Sequence, residues 1–231
     1  GLAMAAFAAF TTLTAVEADA QKAEDRLVFL AAREPPSFDF YMQSNREGVI
    51  LNRMMFDGLV RADSRTGNVT PGLATEWEWL DDTTLSMKLR EGVTFHNGEA
   101  FDASDVVYTL EWNNNPENRT VGQSRTNWME RIEVNSPYDI TIHLPKPFPA
   151  AMEFYNANFP IYPADYHAEV GTEGFSEQPV GTGRYKVDST EIGREIVMSR
   201  NENYWAEDNG HIGTIVMRFV PEQNTQTAEL M

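Results

Sequence analysis

Cysteine is absent from this 231-residue sequence, which excludes disulfides, thiolate metal sites and cysteine nucleophiles within it. Basic residues are scarce: 18 Lys and Arg stand against 35 Asp and Glu, so the formal net charge is −17. Nucleic acids and anionic membrane surfaces are bound by clustered Lys and Arg, so this balance argues against both as partners. Beyond residue 20 no apolar run is long enough for a transmembrane helix.

Catalytic and metal-binding patterns are also missing. The Gly-Thr-Gly at 181–183 lacks the Lys-Ser/Thr ending of a phosphate loop and precedes a strand pattern, and no serine lies in a G-x-S-x-G elbow. The histidines lack the i, i+4 spacing of paired metal ligands and are interpreted as surface or hydrogen-bonded side chains: His96, His143, His167 and His211. We therefore expect no enzyme activity, no catalytic residue, no metal and no cofactor.

The first 20 residues have the pattern of an export signal. Residues 1–15 are mostly apolar, and Ala-Asp-Ala at 18–20 has the A-x-A form that signal peptidases accept. We predict that residues 1–20 are part of a signal peptide cleaved after Ala20, and an ordinary N-terminal helix is the alternative. The rest of the protein is then expected to be exported, soluble and periplasmic.

Strand and helix patterns alternate along the remaining sequence, which predicts a mixed α/β fold. Proline at 35 and 36 ends the first apolar run, because proline has no backbone N–H to donate. The predicted strands lie at 26–32, in two hairpins over 77–89 and 132–144, and at 185–187, 196–198 and 215–219. A helix is predicted near 49–59. The polar stretch 113–127 is predicted to be a loop, either a linker or part of a ligand cleft.

The most informative stretch is 89–112, LREGVTFHNGEAFDASDVVYTLEW. It holds a strand end, an Asn-Gly turn at 97–98 and a helix start. Asp102 is predicted to be the N-cap of a helix from residue 103 to about 112, and Asp105 adds a carboxylate to its first turn.

This stretch resembles the LR-x-GV-x-FH-x-G-x-x-F-x-A-x-DV-x-Y-T pattern of the extracytoplasmic solute-binding proteins of the dipeptide/oligopeptide class (family 5), which serve ABC importers. Four further blocks follow that family's order: FDGLVRAD (56–63), PGLATEWEW (71–79), PVGTGRYKV (179–187) and SRNENYW (199–205). With five collinear blocks between residues 27 and 220, the chain is identified as a member of this family.

The resemblance implies a periplasmic-binding-protein type II-like fold of two lobes plus a small extra domain. By analogy, residues 21–45 begin lobe I, residues 46–170 form the extra domain, and residues 171–231 return to lobe I. Relatives continue into a second lobe, so we expect this chain to be an N-terminal fragment from which lobe II is absent.

The function implied by the resemblance is that of an importer's substrate-binding receptor. Such a protein captures peptides or a similarly extended solute and delivers them to ABC permease subunits by hinge closure, without chemistry on the ligand. We expect a monomer. The alternatives are a non-peptide ligand (sugar, opine or metal chelate), a sensory or chaperone-like binding protein, and a hydrolase on the same scaffold.

Three segments match the places where this class lines its cleft. Tyr41, Met42, Gln43, Ser44 and Asn45 match the segment that offers backbone hydrogen bonds to a ligand in the manner of an added strand, and a plain surface loop is the alternative. The other two segments contain Asn127 and Trp128, and Asn158 and Phe159. Trp128 either stacks on a ligand or packs in the core.

Overall fold

The computed structural model describes residues 25–63, 65–207 and 212–221. The predicted signal peptide and His211 lie outside these residues. The described strands are β1 (Arg26–Ala31), β2 (Val60–Ala62), β3 (Val69–Pro71), β4 (Ala74–Asp81), β5 (Thr84–Leu89), β6 (Arg131–Ser136), β7 (Asp139–His143), β8 (Tyr185–Glu191), β9 (Glu195–Arg200) and β10 (Thr214–Phe219). The described α-helices are α1 (Arg46–Met55), α2 (Ala103–Asn114), α3 (Ala151–Ala157) and α4 (Ala164–Glu177). The predicted mixed α/β class is confirmed.

The described strands form three sheets. The first has the order β1-β10-β9-β8, in which β1 and β10 are parallel and the other pairs antiparallel. The second is fully antiparallel, with the order β4-β5-β7-β6, and contains both predicted hairpins. The third pairs β2 with β3. The chain therefore leaves the first sheet after β1 and returns to it only at β8.

The predicted start of α2 is confirmed. Asp102 Oδ1 accepts a hydrogen bond from Ser104 N at 2.7 Å, and Asp105 Oδ2 accepts from Asp102 N at 2.9 Å, which completes a capping box. The other carboxylate oxygen of Asp105 accepts from Ala164 N at 2.8 Å. Burial raises the pKa of Asp105 to about 6. One carboxylate thus starts α2 and also ties it to the first residue of α4.

The helix predicted near 49–59 is shifted in the structure. It runs over Arg46–Met55, because Asn45 caps its N-terminus by accepting from Gly48 N at 2.7 Å. The helix ends at Met55, four residues before the predicted end, and residues 60–62 form β2. Gly58, between the two, lies where a Cβ would be 2.2 Å from the carbonyl oxygen of Tyr155, so only glycine fits there without a shift.

A cluster of aromatic rings packs α1, α4 and the short 3-10 helix Phe40–Met42 against one another. The Tyr162 ring lies at the centre, with ring centroids 5.2 Å from Tyr41, 5.6 Å from Phe56 and 4.5 Å from Phe175. All four side chains are buried. The segment that precedes α1 is therefore anchored in the core.

His96 joins the turn before α2 to residues 181–183 before β8. Its Nε2–H donates to Gly183 O at 2.9 Å, while Nδ1 accepts from Gly181 N at 3.3 Å. Only the neutral ring can donate and accept in this way. Burial lowers the pKa of His96 to about 4, against an ordinary value of 6.5. Of the two roles expected for the histidines, surface or hydrogen-bonded, His96 has the hydrogen-bonded one.

We expect the free energy of unfolding to contain a pH-dependent contribution from His96. Because its folded-state pKa lies below the unfolded value, the unfolded chain binds the extra proton between pH 6.5 and about 4, so this contribution is lost as the pH falls through that window. A pKa change of that size corresponds to about 3 kcal/mol at about 1.4 kcal/mol per pH unit.

Urea unfolding at several pH values between 7 and 4 measures this contribution as the difference between the wild type and His96→Gln. The variant is expected to lose less stability than the wild type over this window. Asp105 acts in the opposite direction in both proteins, since its raised pKa favours the protonated folded state. Parallel pH profiles for the two proteins would contradict the expected role of His96.

Candidate functional site

The three segments predicted to line a cleft come together in the structure. The Tyr41 carbonyl oxygen accepts from Val121 N at 3.0 Å and Gly122 N at 3.2 Å. The Tyr41 hydroxyl donates to Pro160 O at 3.1 Å. We call residues 41–45, 121–128 and 158–160 together the three-segment junction.

Side chains of the first segment alternate between the interior and the surface. Tyr41 and Gln43 are buried, whereas Met42 is half-buried and Ser44 is exposed. Gln43 has extended backbone angles, with φ −142° and ψ 162°, and its Oε1 accepts from Asn45 N at 2.9 Å. The inward side chains hold the segment in place, and the outward ones lie on the surface beside α1.

Arg125 was missed in the sequence and is central to the junction. Its Nη1 donates to Phe40 O at 3.0 Å and its Nη2 to Gln43 O at 3.3 Å. The guanidinium carbon lies 4.1 Å from the centroid of the Phe40 ring. Arg125 therefore clamps the first segment to the loop that precedes Trp128. The only signal in the sequence was its place in the polar stretch.

That polar stretch is tied to the end of α2. The buried Asn113 donates from Nδ2 to Thr126 Oγ1 at 2.6 Å and to Gly122 O at 3.1 Å. Two short 3-10 helices, Pro116–Asn118 and Gln123–Arg125, lie within it. These bonds give the loop a fixed conformation beside the first segment.

Trp128 packs in the core and is only 8% exposed. Its indole N–H donates to Arg125 O at 2.7 Å. The ring stacks on Phe148, with centroids 4.5 Å apart at 27°, and lies 5.2 Å from the Tyr155 ring. Asn127 beside it is exposed. The packing alternative for Trp128 is thus observed, and contact of either residue with a ligand stays a prediction.

The third segment follows α3. Phe159 is fully buried, 6.2 Å from the Tyr155 ring, and supports the junction from inside. Asn158 is half-buried, and its backbone N–H donates to Phe154 O at 3.0 Å. Of this pair, Asn158 is the more exposed residue.

A buried polar network underlies the first segment. Asp39 Oδ1 accepts from Tyr41 N at 3.0 Å and from the Tyr162 hydroxyl at 2.7 Å, and Oδ2 lies 3.6 Å from His167 Nε2. His167 Nδ1 is 2.7 Å from the Tyr108 hydroxyl. The carboxylate favours the proton on Nε2, so Nδ1 accepts from Tyr108. Burial, with the charge of Asp39, raises the pKa of Tyr162 well above its usual range.

Within residues 25–63, 65–207 and 212–221, no group of three or more His, Asp or Glu side chains is arranged to hold a metal ion. No helix within the same ranges is long and apolar enough to cross a bilayer.

Residues 68–231 match the profile of the bacterial extracellular solute-binding proteins, family 5 Middle. The chain belongs to this family. The family resemblance carried by the five sequence blocks is therefore confirmed. Family 5 proteins bind solutes and are not enzymes, in agreement with the expectation from the sequence.

Among curated relatives, the chain is similar to Protein XP55 of Streptomyces lividans, with 27% identity over 219 residues, 90% of this chain and 38% of that protein. It is also similar to the glutathione-binding protein GsiB of Escherichia coli O1:K1 / APEC, with 27% identity over 225 residues, 94% of this chain and 42% of that protein. The chain thus spans about two fifths of the length of these relatives.

Solved structures show the same architecture. NikZ of Campylobacter jejuni, in complex with Ni(L-His), has a TM-score of 0.79 at 25% identity, over 89% of this chain and 41% of that one. DppA of Helicobacter pylori, in complex with the peptide STSA, has a TM-score of 0.81 at 23% identity, over 90% of this chain and 46% of that one. The mixed α/β fold is that of part of a family 5 periplasmic binding protein.

Proposed function

We propose that the intact protein is the substrate-binding receptor of an ABC importer. It captures peptides, or a similarly extended small solute, in the periplasm and delivers them to the permease subunits by hinge closure. Family membership supports the receptor class. The protein acts as a soluble monomer exported by its signal peptide.

The observation that carries this proposal is the convergence of three distant segments at the three-segment junction. The first segment is extended at Gln43. The hydroxyl of its own Tyr41 anchors it to Pro160 O, and Arg125 donates to Gln43 O. Met42 is half-buried and Ser44 is exposed. Tyr41 and Met42 end a 3-10 helix, and the extended backbone begins at Gln43. A backbone already fixed in extended form there is suited to pair with an extended peptide, because the ordering cost has been met on the receptor side.

The sheet topology supports the proposed domain division. Residues 21–45 and 171–231 belong to lobe I, since the described strands in these ranges pair only with one another. Residues 46–170 form the extra domain, with the other two sheets. Lobe II closes over the three-segment junction in the intact protein.

Peptides are the proposed ligand class, although relatives differ in what their names and titles record. They include a glutathione-binding protein, a structure with Ni(L-His), one with agropinic acid and one with the peptide STSA. Ser44 and Asn127 are exposed polar side chains of the junction, and the backbone of Gln43 beside Ser44 is extended. This suits main-chain recognition better than recognition of one compact solute.

We expect a short peptide to travel with the purified intact protein in native mass spectrometry. Added peptide at 100 times its Kd should stabilise the protein by about 2.7 kcal/mol, because it binds the native state alone. Glutathione, Ni(L-His) and an opine serve as competing ligand classes. Stabilisation by one of these but not by peptides would replace the peptide assignment, and no response to any class would contradict the receptor proposal.

Arg125→Gln tests whether the first segment takes part. Losing two charge-assisted bonds to Phe40 O and Gln43 O should weaken peptide affinity about 10-fold, roughly 1.4 kcal/mol. Arg131→Gln is the matched control, because Arg131 is exposed on β6 and pairs there with Glu133. Equal affinities for the two variants would exclude the segment from the binding site.

A further inference from the structure

A cavity of about 550 Å³ lies between the loop that follows β1, the C-terminal end of α4 and the end of β8 with the turn after it. Its lining comes from residues 34–38, 176–177, 190 and 192, none of which belongs to the three-segment junction. We call it the proline cavity, after the two consecutive prolines in its wall. Its volume lies within the range of about 300–1,000 Å³ that is typical of small-molecule sites.

Hydrogen bonds hold the walls of the proline cavity together. Glu34 Oε2 accepts from Gly193 N at 2.8 Å, which ties the loop after β1 to the turn between β8 and β9. Ser176 Oγ accepts from Phe38 N at 3.1 Å, which ties the same loop to α4. The two prolines of the loop have fixed φ angles. The cavity is therefore preformed, and a ligand that enters it meets little of the ordering cost of binding.

Part of the lining is apolar. Pro35 and Phe38 are buried in the wall, whereas Ile192 is 89% exposed. Contact between this isoleucine and an apolar group would remove hydrocarbon surface from water on both sides, which is favourable. The lining therefore favours a ligand with an apolar body.

The charged side chains of the lining are acidic. They are Glu34 and Glu177, and no Lys or Arg lines the cavity within the part of the chain that the structure describes. Arg194, in the adjoining turn, is paired with Glu191 at 2.8 Å. Glu177 is the last residue of α4, whose final turn has no basic residue, so the partial negative charge of the helix end adds to that of the carboxylates. The cavity therefore favours a cation.

Thr190 provides an independent observation. Its Oγ1 atom is buried and has no hydrogen-bond partner among the described residues, and the residue lines the proline cavity. A buried hydroxyl without a partner costs free energy in the folded protein. A ligand that donates a hydrogen bond to this oxygen would remove that cost.

We propose that the proline cavity binds a small organic cation, a primary amine attached to an apolar body. The ammonium group has three N–H donors, and Glu34, Glu177 and Thr190 supply the acceptors. The Gly193 N–H occupies only one acceptor position of the Glu34 carboxylate. The apolar body lies against Phe38 and Ile192. This site is separate from the three-segment junction and does not depend on the function proposed for it.

Isothermal titration of the intact protein with tryptamine tests this proposal. Tryptophol, with a hydroxyl in place of the ammonium group, and indole-3-propionic acid, with a carboxylate, are the matched ligands. We expect saturable binding of tryptamine, at least about 10-fold tighter than that of either matched ligand. Equal affinities for tryptamine and tryptophol would overturn the proposal, as would the lack of a saturable response to tryptamine.

Glu34→Gln and Glu177→Gln test the two carboxylates. Each should weaken tryptamine binding by at least about 10-fold, and glutamine at position 34 can still accept from Gly193 N. Glu78→Gln is the control, because Glu78 is exposed on β4 and its replacement makes the same charge change. Tryptamine binding that Arg125→Gln weakens and both cavity variants leave unchanged would place the amine at the three-segment junction and overturn the proposal.

Thr190→Val separates a role in binding from a role in folding. Valine keeps nearly the same shape and removes a hydroxyl that has no partner among the described residues, so the ligand-free melting temperature should not fall. Tryptamine affinity should fall about 5-fold, the usual size of one hydrogen bond. Tryptamine affinities equal to that of the wild type in Thr190→Val, Glu34→Gln and Glu177→Gln would exclude the proline cavity as the site.

Discussion

Replacement of Asp39 by alanine is expected to lower the free energy of unfolding by about 3–5 kcal/mol, the cost of removing one partner from a buried charged network. Asp39 is fully buried and holds the Tyr41 N–H, the Tyr162 hydroxyl and His167. Alanine would leave the Tyr41 N–H and the Tyr162 hydroxyl without their carboxylate acceptor in the interior, and would remove the charge that lies 3.6 Å from His167 Nε2. Chemical denaturation followed by tryptophan fluorescence measures the loss.

Asp39→Asn is the matched control for the network. Its side-chain oxygen can still accept from Tyr41 N and the Tyr162 hydroxyl, so only the interaction with His167 changes. We expect a smaller loss, about 1–2 kcal/mol. Peptide affinity should follow the same order, because Asp39 sets the position of the first segment of the junction. If the alanine variant were as stable as the wild type, the network could not be what holds that segment.

Trp128→Ala is expected to lower the stability of the ligand-free protein by about 3–5 kcal/mol, as truncation of a buried aromatic side chain does. The ring is 8% exposed and packs on Phe148 and Tyr155. A residue whose role was only to stack on a ligand would leave ligand-free stability almost unchanged. Thermal unfolding without ligand and peptide affinity, measured side by side, separate the two roles.

Val121→Ala provides the comparison within the same loop. Val121 is 57% exposed, so its truncation should change stability by no more than about 0.5 kcal/mol. Trp128→Phe should lie between the two, because it keeps the stacking with Phe148 and loses the hydrogen bond to Arg125 O. Similar melting temperatures for Trp128→Ala and Val121→Ala would show that the indole is not part of the stabilising core.

Local patterns in the sequence were sufficient for much of the fold. The residues that cap α2 are only three apart, so the N-cap at Asp102 and the first-turn carboxylate at Asp105 could be predicted. Each hairpin pairs neighbouring strands, so alternation and turn residues predicted both hairpins. The start of α1 was misplaced because apolar spacing was considered without the cap at Asn45. Interactions can be predicted from the sequence when all the residues that form them lie within one short stretch of chain.

The supports of the candidate site could not be predicted in this way. Arg125 reaches carbonyls more than 80 residues earlier in the chain, and Asp39 meets His167 across a still longer separation. No periodicity links such residues. The polar stretch after α2 suggested a linker as readily as a cleft, yet polar side chains within it, such as Thr126, are the ones that fix it to the helix.

The parallel pairing of β1 with β10 also has a consequence for the order in which the chain folds. Arg26 pairs with Thr214, so almost the whole described chain must be present before the first strand finds its partner. The antiparallel sheet of β4 to β7 needs only residues between 74 and 143 and can form earlier. Since contacts close in sequence form fastest, β1 is synthesised before the antiparallel sheet but pairs with its partner strand after that sheet has formed.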